Sequence, residues 1–196
     1  MSPATDDRAR ALAGAAFLAG SVLTTLGFTT AEAFYPGYST STQTISALGA
    51  AGAPAASRAV FNGVMVATGA LTLVAAYGLA RAGEQRAFAA VVAVTGVGGF
   101  AGVGLFPAQT GGPHLIAALL AFGGIGVSAL FAAATWRGPF RYASAALGAL
   151  ELLALAGFLV LEGATPLGIG GLERWVAYLG AAWAAAFGGA LLAAGE

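Results

Sequence analysis

Few side chains in this chain are equipped for chemistry, and almost all of them stand at the ends of long apolar runs or between those runs. They are Glu32, Tyr38, Gln43, Arg58, Asn62, His114, Glu173 and Arg174. His114 is the one imidazole in 196 residues, and it opens an apolar run directly after Gly111, Gly112 and Pro113. A helix N-terminus disfavours a charged ring, which leaves His114 free to accept a proton. With Glu32 or Glu173 to orient it or act as the acid, and a hydroxyl from the Ser/Thr-rich stretch after Tyr38 as nucleophile, it would compose a general-base site. Arg58 and Arg174 suit phosphate or carboxylate. Arg58 and Asn62 are four apart and share a helix face, and Asn62 is expected to bond a neighbouring helix or loop carbonyl. Glu151 differs from the rest, because apolar residues flank it deep inside a run, and an ionisable group at such depth is a functional candidate by default.

Residue types that are missing exclude several chemistries. Without cysteine there is no disulfide, thiolate metal site, iron–sulfur cluster or thiol nucleophile. Without lysine there is no Schiff base and no P-loop lysine. A single histidine cannot provide bis-histidine haem ligation or a paired-histidine zinc site. No cofactor and no metal is therefore expected. Eight arginines balance eight acidic residues, so nothing in the charge points to nucleic acid as a partner.

These groups need a scaffold, and composition names it. The chain is 59% hydrophobic and 8% charged, against about 25% charged in soluble domains. About 20 apolar residues cross a hydrocarbon core of roughly 30 Å, and six such runs are legible, at 11–33, 59–80, 87–106, 114–136, 142–161 and 175–194. The expected fold class is all-α, a polytopic membrane protein in which residues 1–196 form one six-helix bundle. Gly98 and Gly102 illustrate the small residues that let such helices approach. Each odd run follows an arginine pair and ends near a proline (Pro36, Pro107, Pro166), a faint repeat of three hairpins. Arginine accumulates in cytoplasmic segments. Arg8, Arg10, Arg81, Arg86, Arg137 and Arg141 share one side, which places the protein in the cell membrane with both termini cytoplasmic. The segment 35–57 and the loops 107–113 and 162–174 then face outward. Pairing of Glu32 or Glu173 with Arg58 or Arg174 is expected there.

The first outer loop is expected to be structured. Ser41 or Thr42 caps a short helix that runs through Leu48 and ends at Gly49, and Ser57 is the N-cap of the second span. Ile45 and Leu48, three apart, share a face, so the segment either folds over the outer mouth of the bundle with that face down or is an ordinary hydrated loop.

Four stretches together, 38–49 (YSTSTQTISALG), 61–63 (FNG), 104–114 (GLFPAQTGGPH) and 171–183 (GLERWVAYLGAAW), resemble domain-of-unknown-function family 998 of archaeal and bacterial membrane proteins. More distantly, the chain is similar to the group of damage-regulated autophagy modulators and the Frag and Sfk proteins. The resemblance implies six helices and a structured first outer loop, and it implies that Asn62, His114, Glu173 and Arg174 are shared positions. It brings no reaction, cofactor or substrate. Ala47 stands where the family usually carries Asp, which removes a metal or acid–base role from that position.

Three functional readings follow. The first is a non-enzymatic protein that binds a lipid headgroup, a small amphipathic ligand or a partner subunit at the outer polar cluster. Membrane lipids, another subunit or a second copy are then its partners. The second is an intramembrane lipid-modifying enzyme using His114 with Glu32 or Glu173. The third is a transporter or channel; it needs a continuous polar path, toward which the inner half of the bundle offers, apart from Glu151, only scattered Thr68, Thr72, Thr95 and Ser128. The small-x-small triplet Ala31, Glu32, Ala33 matches a signal-peptidase site, but the preceding apolar run is too long for a signal peptide, and the first span is expected to be retained. N-terminal sequencing of mature protein is expected to find residues upstream of Ala11; a chain starting at Phe34 would reverse that expectation.

Overall fold

The computed structural model describes residues 3–194, so the ends of the 1–196 single-domain reading lie outside the described residues. Within them, six helices are long and apolar enough to cross a membrane. They are α1 (Pro3–Ala33), α2 (Ala55–Arg81), α3 (Arg86–Leu105), α4 (Gly112–Thr135), α5 (Phe140–Leu161) and α6 (Gly168–Ala193). Five agree with the runs read from hydropathy, with ends that differ mainly because α1 and α2 start earlier. The sixth begins seven residues before the expected 175. The glycine-rich stretch at 168–171 reads as loop, but here it is the first turn of α6, and Glu173 and Arg174 stand inside the helix.

Each helix packs on its neighbours in the chain, and α6 returns to α1, so the three hairpins form a closed ring. Outward-facing Leu26, Leu105, Ile116, Leu153 and Val160 are all more than 60% exposed. In water such a surface would be a liability, whereas lipid tails solvate it at no cost.

Without a hydrophobic force between helices, close backbone approach holds the ring. Midway along α3 the helix widens into a π turn, Thr95–Ala101. It presses against α2 at Gly69, where a Cβ would stand 2.6 Å from Ala101 N and from Gly96 O. No side chain fits there.

The rim that carries the termini is closed by aromatic rings. Phe187 of α6 meets Phe17, Phe88, Trp136, Phe140 and Trp183 at centroid distances of 5.1 to 5.9 Å. These rings come from α1, α3, the end of α4, α5 and α6, so one side chain bridges five parts of the ring. The Trp183 indole N–H donates to Ser144 Oγ at 2.7 Å, and Ser144 donates to Ala129 O at 2.8 Å, which satisfies both buried groups.

Gly69→Ala is expected to lower stability by about 1–3 kcal/mol through overpacking, read as a lower Tm in detergent. The same change at Gly63, whose Cβ would meet nothing within 4 Å, is expected to leave stability unchanged or raise it by up to about 1 kcal/mol, with no fall in Tm.

Candidate functional site

At the opposite rim the segment 34–54 lies across the ring as a strap. Ile45 and Leu48 point inward at 2% and 0% exposure, packed with Phe28, Phe61 and Met65. The strap holds a single 3-10 turn, Ile45–Gly49, preceded by Thr44. The longer helix capped by Ser41 or Thr42 is not formed. Backbone groups of the 39–44 stretch are instead taken by Arg174, Tyr38 and α6. Ser57 likewise is not the N-cap of α2, which starts at Ala55 after Pro54; its hydroxyl is buried and donates to Leu48 O at 3.1 Å.

Arg174 is the main fastening. One guanidinium nitrogen donates to Thr40 O at 2.9 Å and Gly170 O at 3.0 Å, and the other to Glu32 at 2.5 Å and to the Tyr38 hydroxyl at 2.8 Å. Of the pairings open to Glu32, Glu173, Arg58 and Arg174, the Glu32–Arg174 pair is formed. Tyr38 passes its own proton to Thr44 O at 2.7 Å. Burial raises the Tyr38 phenol above its ordinary value, against the lowering by the Arg174 hydrogen bond and charge, so it stays a neutral donor at physiological pH. Gln43 closes the turn through Ser39 N at 2.9 Å.

The rest of the strap is held by α6 itself, by α2 and by the segment between α3 and α4. Glu173, buried, accepts the N–H of Ile45. Gly170 N donates to Ser41 O at 2.9 Å, and a Cβ on Gly170 would overlap Thr40 O and Gln43 O, so the strap can lie this close only over glycine. Asn62 donates to Gly49 O at 3.2 Å, the loop-carbonyl bond expected of it, and Arg58 donates to Ala51 O at 3.1 Å. Gln109, between α3 and α4, accepts Ala51 N at 3.0 Å.

Beneath the strap lies an axial cavity of about 60 Å³ to which all six helices contribute. Eleven residues separate its lining members Glu173 and Ala184, so at about 1.5 Å each it runs roughly 16 Å along α6. It is long and narrow. Phe17, Phe28, Phe61, Phe100 and Phe122 contribute aromatic rings to its wall, and a Thr24–Thr68 hydroxyl pair at 2.8 Å crosses between α1 and α2. Glu151 reaches it from α5, between Gly126 of α4 and Gly180 of α6, which lack the side chains that would fill its place. Its side chain is wholly buried, and neither carboxyl oxygen has a hydrogen-bond partner.

His114 also lines the cavity. Its Nδ1 is 2.7 Å from Phe106 O; a carbonyl only accepts, so Nδ1 donates this hydrogen bond. The eight rim residues and Glu151 thus have two roles. Glu32, Tyr38, Gln43, Arg58, Asn62 and Arg174 hold the strap, His114 and Glu151 line the space below it, and Glu173 does both. Sequence reasoning missed Thr24 and the aromatic wall, although Phe17, Ser21, Thr24 and Phe28 recur at helical spacing on one stripe of α1.

The fold and the strapped cavity define a multi-pass helical membrane bundle. The family model for proteins of unknown function DUF998 matches residues 18–190, nearly the whole chain, and the protein belongs to that family. No curated protein and no solved structure matches it.

Arg174→Ala leaves Thr40 O, Tyr38 and Glu32 without their donor, and about 1–3 kcal/mol of stability is expected to be lost. Limited proteolysis with mass-mapped cleavage is expected to find new cuts within residues 36–44. Arg174→Lys is expected to restore little, since one ammonium cannot reproduce the planar fork.

Proposed function

We propose that this protein binds one slender amphipathic molecule, a single-chain lipid or a short amphiphile, inside the helix ring. The reading is carried by the cavity: about 60 Å³, narrow, walled by phenyl rings and supplied with a few polar groups. An apolar pocket with a small number of convergent polar groups is the usual form of a ligand site. A water needs roughly 10–15 Å³ on the same measure, so several waters or an unbranched chain would occupy it. The strap is the roof over this space, and its own polar groups are already engaged in holding it down. The arginine pattern favours a strap that faces out of the cell, so the ligand enters from the outer leaflet.

The aromatic layer around Phe187 lies between this space and the rim that carries the termini. That favours a binding site closed at one end over a conduit. A second reading, a lipid-modifying enzyme, draws on His114, which lines the cavity and whose ring is oriented by Phe106 O. Its base would work on a ligand held in the same place.

Ala118 and Ala177 line the cavity, and Ala118→Leu and Ala177→Phe would fill it. A single-chain amphiphile is expected to copurify with wild-type protein in native nanodiscs, near one per chain by extraction and mass spectrometry. Both filled variants are expected to lose it while keeping their helicity and elution volume. Equal retention by correctly folded filled variants would overturn the reading.

A further inference from the structure

We infer that the ligand of this cavity carries a primary ammonium head, and that Glu151 is the group that receives it. The inference rests on the cavity being a binding site and names the chemical class of its occupant.

Glu151 is wholly buried, its side chain lines the cavity, and both of its carboxyl oxygens lack partners. A buried polar group left without a partner is costly, and a buried charge more so. The chain does not relieve this. The Thr24 and Thr68 hydroxyls are bonded to one another and Thr24 also to Gly20 O, while Ser21 donates to Ala181 O at 2.7 Å. The partner that Glu151 lacks therefore comes from outside the chain.

Charge selects among amphiphiles. The ionisable groups along the cavity are Glu151, Glu173 and His114; no arginine is among its lining residues, and the chain has no lysine. Arg174, the cation nearest in sequence, is turned to the strap. An anionic head would find no cation along the cavity to offset its charge. A hydroxyl brings one donor, whereas a primary ammonium brings three and the opposite charge, which suits two open carboxyl oxygens. The narrow section excludes bulky quaternary heads, and the phenyl-lined length toward the strap accepts an unbranched alkyl chain. Glu173 does not compete for the head, because it already accepts Ile45 N–H.

The test compares three probes of equal chain length, hexylammonium, 1-hexanol and hexanoate. Saturable binding to protein in nanodiscs at neutral pH is measured for wild type, Glu151→Gln and the filled variant Ala177→Phe. Wild type is expected to bind hexylammonium at least tenfold more tightly than hexanol, and hexanoate most weakly. Glu151→Gln is expected to bind the first two alike, and Ala177→Phe neither. Hexanol binding wild type as tightly as hexylammonium, or a preference that persists in Glu151→Gln, would overturn the inference and leave the cavity standing as a binding site. If no probe binds saturably to wild type, or binding survives in Ala177→Phe, the binding-site reading fails together with it. Should Glu151→Gln not fold, the wild-type comparison of hexylammonium with hexanol decides by itself.

Discussion

One arginine side chain determines whether this ring of helices has a roof. Arg174 rises from the second turn of α6 and gathers Thr40, Tyr38, Gly170 and Glu32, joining the strap, α6 and the end of α1. The guanidinium is planar and rigid, so satisfying it fixes the geometry of all its acceptors together. The strap in turn places Ile45 and Leu48 over the cavity and leads Ile45 N–H to Glu173. Without that fastening the polar 38–46 stretch would be a hydrated loop, and the space beneath it an open mouth.

Lipid imposes the complementary constraint. Because the surroundings of the ring are apolar, a polar side chain is tolerable only at a rim or turned inward. Here the rim groups hold the strap and the inward groups collect along the axis: the Thr24–Thr68 pair, Ser21, His114 and Glu151. The aromatic layer around Phe187 then separates that axis from the rim with the termini. Polarity is thus graded along the interior of the ring, with polar groups beneath the strap and aromatic rings toward the rim with the termini.

Much of this was legible in the chain. Six apolar runs of spanning length, the inward face of Ile45 and Leu48, and the loop-carbonyl bond of Asn62 all follow from periodicity and local chemistry. What misled was local signal with two meanings. Gly168, Gly170 and Gly171 read as a loop because glycine breaks helices in water. In the folded chain they form helix, since the absence of a side chain at Gly170 is what allows Thr40 and Gln43 to lie against it. Ser41, Thr42 and Ser57 are good caps by type, yet none serves as one, because backbone acceptors and donors from other elements reach the same groups first.

By itself, the sequence determined that this is an all-helical membrane bundle of six spans and that its polar side chains collect mostly at one set of loops. Those properties depend only on local hydropathy and on a helix's fixed rise per residue. Tertiary structure alone decided which of those side chains hold the strap and which face an interior space. Glu32 meets Arg174 across 142 positions of chain, and Glu151 meets the gap opposite Gly126 and Gly180 only when the ring closes. No spacing along the sequence encodes such meetings; they arise from how the six helices pack against one another.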